Sequence, residues 1–149
     1  MIKQLIIIRG PLGVGKSTVS KILAKNIHAE YISVDKFLKD HSVENTLNTN
    51  KIISNIVKNR NNSFVIDGCF YYQEQIDDLK KKLKDPLTIF TLISSVEICI
   101  KRDLKRKRIY GEDAARYVHK ITTKIKAGYE INNSDLTIQE TVNAIMIQL

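Results

Sequence analysis

A glycine-rich turn between two apolar stretches constrains the fold of this chain more than any other feature. It lies in a segment that begins at Ile6 and reads IIIRGPLGVGKSTVSKI. The part from Gly10 to Ser17 fits the pattern G-x-x-x-x-G-K-[ST] in full. An apolar run precedes the pattern and residues with helical spacing follow it, which is the context that the pattern requires. We therefore predict a phosphate-binding loop between a buried strand and a helix.

Each residue type in this loop has a physical role. Glycine lets the backbone turn several N–H groups toward one point, because no Cβ stands in the way. Those groups and the positive end of the following helix then surround a phosphate. We expect Lys16 to reach the β- and γ-phosphates, the Ser17 hydroxyl to ligate Mg²⁺, and Thr18 to assist at the α-phosphate. The residues that we assign to nucleotide binding here are Gly10, Pro11, Leu12, Gly13, Val14, Gly15, Lys16, Ser17 and Thr18.

Short apolar runs alternate with stretches of helical spacing along the whole chain. This alternation favours an α/β fold with a parallel sheet that helices cover on both faces. The length of 149 residues favours a single domain, residues 1–149. Between the second and third strands, only 49–60 shows a helical apolar face. The five predicted strands are 4–10, 29–35, 63–68, 87–94 and 129–132.

Charge and composition narrow the possible partners and location. The net charge of +8 suits anionic ligands, from nucleotides to nucleic acid, without choosing among them. No apolar run is long enough to cross a bilayer, and the run after Gln4 is too short for a signal peptide. We expect a cytoplasmic protein with no membrane partner. Cys69 and Cys99 lack metal-ligand spacing and are expected to be buried, reduced thiols.

Two carboxylates close predicted strands, where ligands bind in an open parallel sheet. Asp67 in FVIDG is predicted to hold Mg²⁺, directly or through water, or to contact the acceptor. A turn-capping role is its alternative. Asp35 in YISVDKF is predicted to accept the proton of an acceptor hydroxyl or to orient that hydroxyl for attack. The alternative for Asp35 is an N-cap of a helix that starts at Lys36.

A basic segment, residues 101–116, reads KRDLKRKRIYGEDAAR. Arg102 and Arg106 are four residues apart, so one helical face carries both, and Arg108 lies in the turn that follows. A hinged pair of helices with arginines can close over phosphates, neutralise the transferring group and exclude water. We predict a lid over about 102–117, with Arg102 and Arg106 catalytic and Arg102 also nucleotide-binding. A solvated charged helix face is the alternative.

These features together resemble the small P-loop kinases of the nucleoside-monophosphate-kinase-like group. The pattern is most similar to chloramphenicol phosphotransferase, zeta-toxin-like kinases and polynucleotide kinase domains. The residues that carry the resemblance are GPLGVGKST, ISVDKF, FVIDG, KRDLKRKR and the tail YEINNSDLTIQETVNAI. The resemblance implies a five-stranded parallel sheet in the order 2-3-1-4-5 with a short lid, and ATP and Mg²⁺ as cofactors. It also implies that Asp35 activates a hydroxyl and that Asn132 and Asn133 lie near the adenine.

The chain departs from this pattern where such kinases bind their acceptor. The predicted acceptor segment, residues 36–62, is short and has no arginine before Arg60, whereas kinases that grip an acceptor phosphate usually place arginine there. DGCFYYQ lacks the proline and arginine that follow the aspartate-glycine pair of adenylate kinases. Both departures argue against a monophosphate acceptor. Tyr71 and Tyr72 are candidates to stack on an aromatic acceptor, with packing at the domain edge as their alternative.

Three functions remain open from the sequence. The leading hypothesis is an ATP-dependent phosphotransferase that acts on a hydroxyl of a small molecule. The second is a kinase for a nucleic-acid 5′-hydroxyl or for a nucleoside or nucleotide. Aromatic residues make up only 7% of the chain, which is few for a surface that stacks nucleic-acid bases. A nucleotide-binding regulator or toxin-like ATPase is the third, although no second sensor element is evident.

Overall fold

The computed structural model describes residues 2–107 and 109–149, so the predicted lid residue Arg108 lies outside the described residues. Five strands alternate with helices within these residues. The strands are β1 (Leu5–Arg9), β2 (Glu30–Ser33), β3 (Phe64–Asp67), β4 (Leu87–Ile93) and β5 (Tyr129–Asn132). The helices are α1 (Lys16–Asn26), α2 (Val43–Lys58), α3 (Gln73–Lys82), α4 (Val96–Leu104), α5 (Glu112–Thr123) and α6 (Ile138–Ile147). A short 3₁₀ turn, Val34–Lys36, follows β2.

The strands form one five-stranded sheet in the order β2-β3-β1-β4-β5, and each neighbouring pair is parallel. The predicted fold class and strand order are therefore confirmed. In this register, Asp67 of β3 lies beside Ile8 of β1 on one side and Ser33 of β2 on the other. The loops that follow β1, β2 and β3 consequently leave the sheet at one edge.

Helices cover both faces of the sheet, which explains why the central strands are continuous apolar runs. Successive side chains of a strand point to opposite faces. Leu5 and Ile7 therefore pack toward α2 and α3, whereas Ile6 and Ile8 pack toward α1 and α6. All five residues of β1 are buried, because this strand lies at the centre of a sheet that is covered on both sides.

Arg9 ends β1 and is fully buried just before the glycine-rich loop. Its guanidinium donates to Thr91 Oγ1 at 3.1 Å, to the Phe70 carbonyl at 3.3 Å and to the Thr122 carbonyl at 3.0 Å. Burial lowers the pKa of Arg9 to about 10, so the side chain remains charged at neutral pH. This buried cation joins the end of β1 to the C-terminal turn of α5 and fixes where the loop begins.

Helix α2 begins at Val43, six residues before the start that apolar spacing predicted. Ser42 caps the helix, and its hydroxyl accepts a hydrogen bond from the Asn45 N–H at 3.1 Å. The first turns bury Thr46 and Thr49 rather than apolar residues, so the pattern gave no helical signal there. No described helix is long and apolar enough to cross a membrane.

Candidate active site at the phosphate loop

A cavity of about 360 Å³ opens beside the glycine-rich loop. Its volume is typical of small-molecule sites. The cavity unites three groups that the sequence predicted separately: the loop, the aspartate after β2 and the two lid arginines. Its lining residues are Leu12, Gly13, Gly15, Lys16, Ser17, Thr18, Asp35, Arg102, Arg106, Tyr110 and Ile138.

The loop takes its shape from glycines with positive φ. Gly13 has φ of 78° and Gly15 has φ of 92°, in the region that side chains with a Cβ rarely adopt. A Cβ on Gly13 would also overlap the backbone carbonyl of Cys99 in α4. Glycine is therefore required at Gly13 both by its backbone angle and by the close approach of α4.

Lys16 supplies a positive charge at the floor of the cavity. Only 6% of the residue is exposed, and its Nζ donates to the Pro11 carbonyl at 3.1 Å. Burial works against this charge, but the nearby Asp67 and Asp35 carboxylates favour it, and the pKa of Lys16 lies above its usual range. Lys16 therefore stays charged at neutral pH and offers an ammonium group to an anion in the loop.

Cys69 lies against Lys16, a placement that the sequence did not indicate. The predictions of buried, reduced thiols are confirmed, since Cys69 and Cys99 are both buried and free. Burial raises the pKa of the Cys69 thiol, which keeps it protonated. Cys69 is therefore a neutral neighbour of the lysine.

Asp35 lies within the 3₁₀ turn after β2 and lines the cavity. The cap residue of that turn is Ser33, which argues against the helix-capping alternative. Asp35 remains exposed to solvent. The protein atoms packed around its carboxyl group nevertheless raise the pKa of Asp35, and Asp67 adds to this effect. Lys16 is the strongest opposing influence. A carboxylate of increased basicity at the cavity wall is suited to accept a proton from a bound hydroxyl.

Asp67 ends β3 behind the loop, is 3% exposed and does not line the cavity. Its Oδ2 accepts a hydrogen bond of 2.6 Å from the Tyr31 hydroxyl. Among the described residues, no group of three or more His, Cys, Asp and Glu side chains is placed to hold a metal alone. Mg²⁺ commonly takes one or two protein oxygens together with substrate phosphates and water. The Ser17 hydroxyl and the Asp67 carboxylate are donors of that kind, so the predicted magnesium ligands fit the ion.

Arg102, Asn133 and the Val14 carbonyl form a closed triangle beneath the loop. Asn133 Nδ2 donates to Val14 O at 2.8 Å, and Arg102 Nη1 donates to the same oxygen at 3.4 Å. Arg102 also donates to Asn133 Oδ1 at 3.3 Å and to Asn133 O at 3.1 Å. Arg102 therefore lines the cavity while its donors support the loop.

The two asparagines that the resemblance placed near the adenine do not line the cavity. Asn133 is 1% exposed, and its side chain is engaged in the hydrogen bonds to Val14 and Arg102. Asn132 ends β5 with its side chain exposed, and its Oδ1 accepts from the Ser134 N–H at 3.0 Å. Ile138, at the start of α6, is the residue from this part of the chain that lines the cavity.

The segment between α4 and α5 brings Arg106 and Tyr110 to the cavity. The Arg106 guanidinium lies 5.2 Å from the Tyr110 ring centre and 3.9 Å from Asp103 Oδ1. Asp103 is 1% exposed and accepts from the N–H groups of Tyr110 at 3.4 Å and Gly111 at 3.0 Å. This carboxylate holds the segment against the end of α4. Sequence reasoning missed it because Asp103 lies inside a run of basic residues.

Tyr71 and Tyr72, the predicted acceptor contacts, lie outside the cavity lining. Tyr71 is 5% exposed and packs against Leu12, with the His41 ring centre at 4.8 Å. The Tyr72 hydroxyl donates to the His41 carbonyl at 2.5 Å. Tyr71 is therefore a packing residue, as the alternative proposed. Tyr72 is half-buried and keeps part of its surface exposed to solvent.

Comparisons with known proteins agree with this geometry. A family model described as an AAA domain matches residues 6–119. An adenylate kinase from Buchnera aphidicola subsp. Cinara cedri (strain Cc) is 32% identical over 155 residues, which cover 91% of this chain and 68% of that protein. The chain belongs to the small P-loop kinases. This confirms the family that the motifs indicated.

Solved structures share the fold of this kinase at low sequence identity. A sugar kinase from Janibacter sp. HTCC2649 has a TM-score of 0.81 at 14% identity, covering 97% of the kinase and 93% of that chain. A gluconokinase from Sinorhizobium meliloti 1021 has a TM-score of 0.77 at 12% identity, covering 95% of the kinase and 89% of that chain.

Proposed function

We propose that the kinase transfers the γ-phosphoryl group of ATP, with Mg²⁺, to a hydroxyl of a small-molecule acceptor. The observation that carries this proposal is that Asp35 lines the same cavity as Lys16 and Ser17. Phosphoryl transfer depends chiefly on positioning and on charge stabilisation. Lys16 neutralises the phosphates, and Asp35 receives the proton of the attacking hydroxyl.

Arg106 adds a further cation to the same cavity. Its side chain is 40% exposed and reaches the cavity from the segment after α4. We assign it to the lid, about 102–117, where its guanidinium stabilises the charge that develops on the transferring group. Residues 36–62, which include α2, form the acceptor side of the same single domain.

The charges of the acceptor side favour an acceptor without a phosphate. Arg60 is the arginine of residues 36–62, and its Nη1 pairs with Glu30 Oε2 at 2.7 Å. Glu30 begins β2, so this pair lies at the opposite end of the strand from Asp35. The acceptor segment therefore brings no guanidinium to the cavity. The fold neighbours named as a sugar kinase and a gluconokinase are consistent with a small hydroxyl compound as acceptor.

A nucleotide acceptor is the second candidate, and the 32% identity to an adenylate kinase favours it. A nucleoside monophosphate would place a second phosphate near Asp35. That phosphate requires a cationic partner, and Arg106 is the candidate, because it lines the cavity and its charge already acts on Asp35. A nucleic-acid 5′-hydroxyl is a weaker form of this candidate, supported by the net charge of +8.

A coupled assay of ADP formation tests these candidates. ATP and Mg²⁺ are supplied alone, with AMP, with a 5′-hydroxyl oligonucleotide, or with a panel of neutral sugars and polyols. We expect a neutral hydroxyl compound to stimulate turnover. Asp35→Asn should remove that stimulation, whereas Asp40→Asn, five residues later and outside the cavity lining, should retain it. Stimulation by AMP alone favours the nucleotide kinase, and turnover that no acceptor alters favours a regulatory ATPase.

A further inference from the structure

Tyr31 lies on β2, and its side chain extends toward the carboxyl end of the strands, where the phosphate loop begins. Its Cα pairs with that of Val65, two residues before Asp67. The ring packs on the face covered by α1, where the Lys21 Nζ lies 5.5 Å from the ring centre. From this position the hydroxyl donates to Asp67 Oδ2 at 2.6 Å. A half-buried phenol is therefore fixed directly beneath the predicted magnesium ligand.

Burial and the hydrogen bond to Asp67 raise the pKa of Tyr31 above its usual range, so the phenol stays protonated. An ionised carboxylate can only accept hydrogen bonds, and a phenol supplies one proton. The Tyr31 hydroxyl therefore acts as the donor, and the Asp67 carboxylate, which the sequence assigned to Mg²⁺, accepts its hydrogen bond.

We propose that Tyr31 is a positioning residue of the magnesium site in this kinase, an inference that rests on the proposed use of Mg-ATP. By donating to Oδ2, Tyr31 holds the Asp67 carboxylate in one rotamer and leaves Oδ1 for the metal or its water. Without this bond, the carboxylate is free to turn toward the Lys16 ammonium, whose pKa it already raises. Tyr31 thus keeps the Asp67 carboxylate available to the metal, because without Tyr31 the carboxylate would pair with Lys16.

Hydrogen bonds to metal-ligating groups affect metal affinity by a known amount. Removal of such an outer partner usually lowers metal affinity by about 10- to 100-fold. The Tyr31→Phe variant removes the hydroxyl alone and keeps the ring packed between β2 and α1. We expect it to lower the affinity of the nucleotide complex for Mg²⁺ by about tenfold. Nucleotide affinity in EDTA should not change, because the phosphate loop remains intact.

Calorimetry tests this with a non-hydrolysable ATP analogue, first in EDTA and then at rising Mg²⁺ concentrations. Tyr129→Phe is the matched control, since Tyr129 lies on the edge strand β5 and is 49% exposed. Mn²⁺ electron paramagnetic resonance on the same complexes reports the metal without any turnover. A Tyr31→Phe protein with the Mg²⁺ dependence of the wild type overturns the proposal. Equal loss of affinity in EDTA also overturns it, because the hydroxyl would then support the loop.

A double-mutant cycle with Asp67→Asn shows whether Tyr31 acts through this carboxylate. If it does, the Tyr31→Phe effect on Mg²⁺ affinity should be small in the Asp67→Asn background. An effect of full size there refutes the positioning role. Neither measurement involves an acceptor, so an incorrect acceptor class leaves the result unchanged. A wild-type protein whose nucleotide affinity ignores Mg²⁺ refutes the metal part of the proposed function, and the role of Tyr31 with it.

Discussion

Replacement of Asn133 by alanine tests whether this residue supports the phosphate loop or contacts the nucleotide. The side chain donates to Val14 O at 2.8 Å and accepts from Arg102 Nη1 at 3.3 Å. A hydrogen bond contributes about 0.5–1.5 kcal/mol net to stability. Loss of both gives about 2 kcal/mol, because Arg102 still donates to the Val14 and Asn133 carbonyls. In a chain of 149 residues this lowers Tm by about 4–8 °C.

Asn132→Ala is the matched control for this experiment. Asn132 is the preceding residue, and its exposed side chain bonds only locally to the Ser134 N–H. Its removal should change stability by less than about 0.5 kcal/mol. Thermal unfolding without nucleotide measures both variants, and calorimetry then measures Mg-ADP affinity. If Asn133→Ala leaves Tm unchanged but weakens nucleotide binding, the support role is wrong and the adenine role predicted from the sequence is favoured.

Three further changes probe the loop and the lid. Lys16→Ala should weaken Mg-ATP binding in calorimetry and abolish transfer, and equal affinity and turnover would refute the phosphate-loop assignment. Arg106→Ala should lower kcat by roughly 10³-fold with a smaller effect on KM for ATP. A loss of kcat below about threefold in steady-state kinetics would favour the alternative that this segment is a solvated charged surface. Gly13→Ala should lower the denaturant midpoint more than Gly15→Ala, whose added Cβ meets only Ile138 Cδ1 at 3.4 Å. Equal midpoints would contradict the overlap with Cys99.

The sequence predicted the central strands β1 and β3 because each is a continuous apolar run that closes at a glycine or at an aspartate-glycine pair. β1 and β3 are buried along their whole length, so burial on both faces removed the polar alternation of a half-exposed strand. The phosphate loop was predictable since its glycines, lysine and hydroxyl are consecutive. The placement of Asp35 beside this loop followed from its position at the end of a parallel strand.

Contacts between residues that are distant in the chain were not predictable in the same way. Tyr31 and Asp67 are 36 positions apart, and their hydrogen bond depends on which face of β2 the phenol occupies. Asn133 and Val14 are 119 positions apart and meet only after α4 and β5 have packed beneath the loop. Buried polar residues also made helix α2 harder to predict, because they interrupt the apolar spacing. Asn50 is fully buried in α2, where its Nδ2 donates to the Gln75 carbonyl at 2.8 Å.

The stability of the kinase without ligand as a function of pH distinguishes a catalytic Asp35 from a structural one. Its pKa in the folded protein is raised, chiefly because neighbouring protein atoms displace part of the water around the carboxyl group. The folded state therefore binds the proton more tightly than the unfolded chain, and stability falls as pH rises from the usual aspartate pKa, about 3.9, through the raised value. Ionised Asp35 thus lowers stability at pH 7. Asp35→Asn should accordingly raise Tm at pH 7, and the gain should vanish near pH 3.5.

Asp40→Asn should show the opposite sign in the same experiment. Hydrogen bonds from Ser42 lower the pKa of Asp40, so its stabilising contribution exists above the usual aspartate pKa and is lost as pH falls through the lowered value. Its replacement should lower Tm at pH 7 and have less effect in acid. If Asp35→Asn instead lowers Tm at pH 7, attraction to Lys16 and Arg106 outweighs the loss of water, and Asp35 is an ion-pair residue. If Asp35→Asn raises Tm and abolishes transfer, then Asp35 lowers the stability of the protein but is needed for the reaction. That combination is expected for a catalytic group rather than for one that supports folding.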